Sequence, residues 1–237
     1  MVVSKDIIDY FFPVCKGTVK GKHTASQALA RIGITMNPEV AFPGQRSCEI
    51  VRPMLSLLHP DCTALENFEG LMCLCNLAGF DAPRKRIVQE KGLSRIEHYM
   101  YEDHELLKRA AVQLMNNMVF SEEVVKLFEG KNDRTRYLVL LCATTDDHDL
   151  VQAAIGTLAV LTAVSKRVSK KVFEAKEWSD TFGYLMTHEN KDIQLRAVAM
   201  VCSVVKHSKE LAEKMLEKEV LKVLDVLVKL GEIPYNF

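Results

Sequence analysis

Residues 70–80 read GLMCLCNLAGF, an apolar segment interrupted by one polar side chain, Asn76. The segment is too apolar for a helix on a protein surface and too polar at Asn76 for a helix enclosed in a core. A helix that packs on both sides and leaves one narrow stripe exposed accounts for both properties. The sequence therefore predicts stacked helices, with Asn76 on the exposed stripe.

The same pattern recurs along the chain at a nearly constant interval. Similar apolar helices are expected at KRAAVQLMNNMV (108–119), LVQAAIGTLAVLTAV (150–164) and QLRAVAMVCSVV (194–205). The position of Asn76 corresponds in the other segments to Arg31, Asn117, Val160 and Ser203. The successive intervals are 45, 41, 43 and 43 residues, a spacing that is typical of armadillo and HEAT helical repeats.

We therefore predict an all-α fold, a right-handed superhelical solenoid of about five armadillo- or HEAT-like units with incomplete terminal units. One domain is expected over 1–237, with units near 1–44, 45–92, 93–133, 134–178 and 179–220 and a trailing helix over 221–237. Composition agrees, because Leu, Val, Ala, Lys and Glu dominate while Gly (11) and Pro (7) are sparse.

Polar turns precede the long helices and offer side chains that can accept from their first N–H groups. These turns are HPDCTALEN (59–67), YEDHELL (101–107), TTDDHDL (144–150) and HENKDI (188–193). A shorter amphipathic helix is expected after each long one, at 84–93, 122–130, 169–178 and 209–220. Gly92 and Gly130 are expected to end two of these in a left-handed conformation.

Charge and cysteine content exclude several classes of protein. Lys plus Arg equals Asp plus Glu, at 31 each, so no net field attracts nucleic acid or an acidic membrane. The short basic segments at 83–86 and 165–171 are expected to be solvated helix ends or loops. Seven cysteines without a CxxC pair predict neither a disulfide framework nor a zinc site.

The longest apolar run, 153–164, is shorter than the ~20 residues that span a bilayer, and we expect a soluble cytoplasmic chain.

No motif for catalysis is present in the sequence. GTVKGKHT, at 17–24, lacks the spacing of a phosphate-binding loop, and neither HExxH nor GxSxG occurs. Four histidines lie in the polar turns and are expected to face solvent rather than a metal: His59, His104, His148 and His188. We therefore expect no enzyme, no cofactor and no metal site.

A longer stretch carries a specific resemblance. ALARIGITMNPEVAFPGQR (28–46) is followed by VRPMLSLL (51–58) and CLCNLA (73–78). This succession resembles the C-terminal part of the UCS-domain myosin chaperones, in which ALAKIAITxNPxxAFPGQR runs into VRPLxxLL and then ALxNLA. The resemblance continues through 109–142 and covers about 24–228.

The resemblance implies a non-catalytic co-chaperone that binds the myosin motor domain, assists its folding and prevents its aggregation in the cytoplasm, and in the sarcomere in muscle. Animal members also carry a tetratricopeptide domain that docks a general heat-shock chaperone, and this chain shows no such pattern. The chain is therefore expected to be the client-binding portion. The alternative is a generic armadillo scaffold or adaptor for another protein.

In armadillo arrays the long third helix of each repeat lines a concave groove. We predict a client-binding groove formed by Arg31, Asn76, Phe80, Gln113, Asn117 and Phe120. Arg31 can pair with a client carboxylate, the amides can hold a peptide backbone through one donor and one acceptor, and the aromatic rings can cover client side chains. A structural role is equally open for each Asn, in which it ties its own helix to the next through a loop carbonyl, and the two roles are compatible. Val160 and Ser203 depart from the pattern, which predicts binding in the first half.

The segment NPEVAFPGQR, at 37–46, is expected to be an inter-repeat loop, because two prolines and a glycine disfavour a helix. Two roles are open for it, a structural clasp or contact with a partner. The residues concerned are Phe42, Pro43, Gly44, Gln45 and Arg46.

Overall fold

The structure, a computed structural model, describes residues 5–15, 19–176, 178–218 and 220–231. All regular secondary structure within these ranges is helical, which confirms the predicted all-α class. The chain divides into two compact units, Met1–Ser121 and Glu122–Phe237.

The first unit stacks its long helices side by side. Its helices are α1 (Lys5–Val14), α2 (Val19–Thr35), α3 (Pro38–Ala41), α4 (Arg46–Glu49), α5 (Val51–Leu57), α6 (Ala64–Ala78), α7 (Asp81–Gln89), α8 (Leu93–Met100) and α9 (Glu105–Met118). Two short helices and a long one make each repeat, as in α4–α5–α6 and α7–α8–α9. The long helix α6 packs between α2 and α9, as the apolar pattern of residues 70–80 predicts.

The second unit follows the same order. Its helices are α10 (Glu122–Glu129), α11 (Arg134–Thr144), α12 (His148–Val164), α13 (Lys166–Val172), α14 (Trp178–Met186), α15 (Lys191–His207), α16 (Lys209–Glu217) and α17 (Val220–Lys229). The long helices α12 and α15 pack against each other. We call the long helix of each repeat its third helix; α2 occupies that place in the first repeat.

The repeats α7–α9, α10–α12 and α13–α15 each contain one more helix than the sequence pattern indicates. The sequence locates the long helix and one short amphipathic helix, whereas the structure adds a second short helix, such as α8 or α11. Only three residues separate α7 from α8, with no proline between them. Without such a break, two short helices read as one segment.

Capping side chains begin three of the four predicted long helices. Thr63 accepts from the backbone N–H of Glu66, whose side chain accepts in return from the N–H of Thr63. Asp147 accepts from the N–H of Leu150, and Asn190 caps α15 in the same way. The fourth N-cap residue, His104, makes no side-chain capping bond.

The prediction that Gly92 and Gly130 adopt a left-handed conformation is wrong. Gly92 has a φ of −68°, and Gly130 is not among the residues with positive φ. The left-handed residue is Lys91, with a φ of 55°. Gly92 is required for space instead, since a Cβ there would lie 2.9 Å from methyl carbons of both Ile87 and Leu55.

The expectation that prolines exclude a helix from 37–46 is also wrong. Pro38 begins the one-turn helix α3, where its missing N–H costs nothing, and Asn37 accepts from the N–H of Glu39 at 2.9 Å. Arg46 then begins α4. The irregular part is reduced to residues 42–45, with Gly44 at a φ of 61°.

Phe42 anchors this short connection in the core. Its side chain is fully buried and meets the ring of Phe12 edge-on, with 6.4 Å between centroids. The guanidinium carbon of Arg46 lies 5.2 Å from the centroid of the same Phe12 ring. These contacts favour the structural clasp, whereas partner contact stays a prediction for the exposed residues Pro43 and Gln45.

One of the turn histidines is not solvent-facing as predicted. His188 is buried, and its Nδ1 accepts from the backbone N–H of Asn190 at 3.0 Å. Its ring packs edge-on against His148 and Tyr184, with centroids 5.1 and 5.5 Å away. Because its Nδ1 bonds to the backbone of the turn, the His188 ring lies inside the turn and is buried.

Gly33→Ala is expected to destabilise the first unit, because α2 approaches α6 closely at this point. The added Cβ would lie 2.5 Å from the Sγ of Cys73 and 3.0 Å from the ring of Phe42. Overpacking of this kind costs about 1–3 kcal/mol. Urea unfolding followed by circular dichroism measures the change in the free energy of unfolding.

Gly183→Ala is the matched control, since a Cβ on this residue of α14 meets no atom within 4 Å. The control is expected to stabilise the chain by up to about 1 kcal/mol through helix propensity. Equal unfolding free energies for the two variants would contradict the close approach of α2 to α6.

Candidate functional site

The side chains of Asn76 and Asn117 each reach back to the preceding third helix. The amide nitrogen of Asn76 donates to the carbonyl oxygens of Gly33, at 3.0 Å, and Ile34, at 3.4 Å. The amide nitrogen of Asn117 donates to the carbonyl of Cys75 at 2.9 Å. Each amide thus ties two helices together, but the structural alternative is wrong about the acceptors, which are helix carbonyls of the preceding repeat and not loop carbonyls of the next.

These acceptors are the carbonyls that a helix cannot satisfy by itself. Gly33 and Ile34 lie in the last turn of α2, and Cys75 lies in the last turn of α6, where no following N–H group is available within the helix. Asn76 and Asn117 therefore cap the carboxyl ends of α2 and α6. Each amide donates where an unpaired carbonyl would be costly.

The second unit uses a different side chain for the same purpose. The Nδ1 of His207, in the last turn of α15, lies 3.0 Å from the carbonyl oxygen of Thr162, in the last turn of α12. In the tautomer with a proton on Nδ1, the ring donates this bond. The repeat alignment makes Ser203 equivalent to Asn117, but the Ser203 hydroxyl donates within its own helix to the carbonyl oxygen of Ala199. The alignment therefore missed His207 by one helical turn.

The capping bonds change what the amides can offer a ligand. We call the side of α2, α6 and α9 that carries Arg31, Asn76 and Asn117 the third-helix face. The N–H groups of Asn76 and Asn117 are committed to the preceding helix, which leaves the carbonyl oxygen of each side-chain amide to this face. The prediction that each amide holds a peptide backbone through one donor and one acceptor is therefore wrong about the donor.

Arg31 is already paired within the chain. Its Nε donates to the Oε1 of Glu69 at 2.7 Å, and the Glu69 side chain is only 9% exposed. The other oxygen of Glu69 is buried and has no hydrogen-bond partner within the described part of the chain. The Arg31 side chain is 59% exposed. Since Nε is the atom that bonds, the outer nitrogens of the guanidinium are available to solvent.

The other three predicted site residues belong to the same unit. Gln113 is half-buried on α9, one turn before Asn117, and Phe80 is half-buried at the start of α7. Phe120 follows α9 and is 61% exposed. The guanidinium carbon of Arg84 lies 5.4 Å from the centroid of the Phe120 ring.

Two exposed leucines on this face were not predicted. Leu65 is 55% exposed on α6, and Leu106 is 48% exposed on α9. Each precedes its capping asparagine by eleven residues, which is about three helical turns, so leucine and asparagine share a face. Their equal distance from Asn76 and Asn117 was the signal in the sequence that could have located them.

The thiols near the face are unsuited to nucleophilic chemistry. Burial raises the pKa of Cys75 to about 11, although the bond from Asn117 opposes the shift, and burial raises the pKa of Cys73 further. Both are therefore protonated at neutral pH. Within the described ranges, no three His, Cys, Asp or Glu side chains are grouped so that they could hold a metal ion.

No helix in the described part of the chain has the length and apolar character needed to cross a bilayer.

Comparison with known proteins places the chain beside one group. No family model matches it. It is 43% identical over 222 residues to protein unc-45 homolog B of Danio rerio and 40% identical over 222 residues to that of Xenopus laevis. Each match covers 92% of this chain and 24% of the relative, so the chain spans about a quarter of the length of these proteins.

Solved structures agree with the sequence matches. UNC-45 from Drosophila melanogaster is 44% identical with a TM-score of 0.88, and the match covers 93% of this chain and 28% of that one. The myosin chaperone UNC-45 from C. elegans, solved with an Hsp90 peptide, is 31% identical with a TM-score of 0.84, over 94% of this chain and 25% of that one. A designed armadillo repeat protein, 17% identical with a TM-score of 0.76, covers 93% of this chain and 92% of its own length and shows the fold alone.

Asn117→Asp is expected to destabilise the first unit more than Asn117→Ala at pH 7. The alanine variant loses one hydrogen bond, which costs about 1 kcal/mol, whereas the carboxylate sets a second acceptor against the Cys75 carbonyl. The facing oxygens raise the folded-state pKa of the new carboxyl above its unfolded value of about 4. The added loss is therefore absent below about pH 4 and grows as the pH rises through the folded-state pKa.

Urea unfolding at a series of pH values measures this difference. Asn116→Asp is the control, because Asn116 neighbours Asn117 on α9 but is not a capping residue. Its free energy of unfolding is expected to vary less with pH. The capping role is excluded if Asn117→Asp and Asn116→Asp have the same pH profile.

Proposed function

Because the chain belongs to the UCS family of UNC-45 proteins, we propose that it is a non-catalytic co-chaperone module that binds the myosin motor domain. In this proposal it assists folding of the motor and prevents its aggregation, in the cytoplasm and in the sarcomere of muscle. A relative from C. elegans is described as a myosin chaperone. The chain corresponds to about a quarter of its relatives, and the proposal assigns client contact to this quarter.

The observation that carries the proposal is the apolar surface on a packed scaffold. Leu65, Leu106 and Phe120 are each about half exposed or more, and all lie in the first unit. Beneath them, α6 is packed between α2 and α9. Burying about half of a leucine or phenylalanine side chain contributes on the order of 1 kcal/mol. Three such contacts on a rigid surface can hold an incompletely folded client.

The polar groups of the same face add orientation to this apolar contact. The side-chain carbonyls of Asn76 and Asn117 can accept from backbone N–H groups of a client segment, and Arg31 can donate its outer nitrogens to a client carboxylate. Arg31 needs no rearrangement for this, because the bond from its Nε to Glu69 fixes the side chain. The predicted roles of Gln113 and Phe80 are retained as contacts of the same segment.

The mechanism requires no covalent chemistry. A holdase that binds the incompletely folded motor lowers the concentration of the free, aggregating species by mass action. Release then returns the motor to folding. The heat-shock chaperone in this proposal docks on the tetratricopeptide domain of animal family members, whose pattern is not found in this sequence.

Leu106→Ser/Phe120→Ser is expected to weaken binding to an isolated myosin motor domain about tenfold, because two partly exposed apolar side chains are removed from the third-helix face. Affinity is measured by titration of the fluorescently labelled motor. Light scattering on heating is followed in the same samples, and the double variant is expected to suppress it less than the wild type does.

Leu140→Ser/Tyr184→Ser is the matched control. Leu140 and Tyr184 are similarly exposed, but they lie on α11 and α14, which are not third helices. This variant is expected to bind as the wild type does. An equal loss of affinity in both variants would mean that exposed apolar side chains bind the motor wherever they lie on the chain. Binding of a stable, folded protein in preference to the motor would favour an armadillo adaptor.

A further inference from the structure

A basic trough lies in the first unit, away from the third-helix face. It consists of two adjoining cavities with volumes of about 540 and 780 Å³. The residues that line both are Lys22, Ser56 and Arg95. These three define the centre of the trough, between α2, α5 and α8.

The centre of the trough carries two cations and no carboxylate. No described residue accepts a hydrogen bond or ion pair from Lys22, which is half-buried. One guanidinium N–H group of Arg95 donates a hydrogen bond to the carbonyl oxygen of Leu55 at 2.6 Å. That bond anchors the guanidinium, while the residue as a whole remains exposed. Two cationic side chains that line the same cavities, one of them anchored by a hydrogen bond, form a binding site for an oxyanion.

Three carboxylates line the trough, and none of them is among the three residues at its centre. Glu49, in the 540 Å³ cavity, is exposed to water. Glu90, which lines the 540 Å³ cavity, is bound by Arg52 at 2.9 Å and by Arg86 at 2.6 Å. Two arginines hold the pKa of this carboxyl below its usual value, the hydrogen bond from Arg52 contributing most. Asp61 lines the other cavity, but its side chain is 90% exposed to water, which screens its charge.

An apolar wall adjoins the cationic centre. Phe12, Pro53 and Leu55 line the 540 Å³ cavity beside Lys22 and Arg95. On the other side, the Nδ1 of His59 lies 3.2 Å from the backbone nitrogen of Asp61 and 3.4 Å from its carboxylate. In the neutral tautomer that accepts from this N–H, the proton on Nε2 is a further donor. A single small oxyanion would leave most of this surface unoccupied.

We propose that the trough binds a peptide segment of a partner protein in which an acidic side chain stands next to an apolar one. The carboxylate lies between Lys22 and Arg95, and the apolar side chain lies against Phe12 and Pro53. This surface is separate from the residues assigned to the myosin client. It gives the chain a second binding site with a different chemical preference.

The probe is the blocked peptide acetyl-Tyr-Leu-Glu-Glu-Ser-amide, titrated into the isotope-labelled full chain and followed by amide chemical shifts. Lys22→Gln is expected to weaken binding about tenfold, because a charge-assisted hydrogen bond is lost. Lys170→Gln is the matched control, since Lys170 is an exposed lysine on α13 outside both cavities. Its affinity is expected to equal that of the wild type.

Two further titrations decide the chemistry without relying on a variant. The same peptide with glutamine at both glutamate positions is expected to bind at least fivefold more weakly, and inorganic phosphate at equal ionic strength is expected to bind more weakly than the acidic peptide. Equal binding of the two peptides overturns the oxyanion site, and phosphate binding without peptide binding overturns the peptide as its ligand. Equal losses in Lys22→Gln and Lys170→Gln would show a general charge effect and overturn the proposal as well.

Discussion

The carboxyl end of each long helix has carbonyl groups that the helix itself cannot satisfy, and the stacking of the repeats depends on satisfying them. Asn76 closes the end of α2, Asn117 closes the end of α6, and His207 closes the end of α12. Each donor lies on the next third helix within the same unit. Each polar capping side chain thus fixes the offset, along the helix axis, between its own helix and the preceding third helix.

This constraint also decides the chemistry of the third-helix face. Because the amide N–H groups are used between helices, the client in the proposed function meets acceptor oxygens, the outer nitrogens of Arg31 and the exposed side chains of Leu65, Leu106 and Phe120. Such a surface makes few specific donor–acceptor pairs and relies on apolar burial. Reliance on burial suits the proposed co-chaperone role, because an incompletely folded client exposes apolar side chains.

The sequence was sufficient for features that repeat and insufficient for features that depend on contacts between repeats. Period and capping residues located the long helices, because both signals lie within one segment. The space required at Gly92 and the burial of His188 depend on residues outside the local pattern, such as Leu55 and Tyr184. The sequence suggests two compatible roles for Asn76 and Asn117, but identifying the carbonyls that their amides bond required the position of the preceding helix.

In the proposed function, the myosin motor contacts the third-helix face of the first unit. Gln113→p-benzoylphenylalanine places a photo-crosslinking group on that face, and Tyr184→p-benzoylphenylalanine places one on an exposed second helix of the other unit. Illumination with the motor domain is expected to give a covalent adduct from position 113 and none above background from position 184. Adducts from position 184 alone, or equal yields from both positions, would exclude the third-helix face as the specific contact surface.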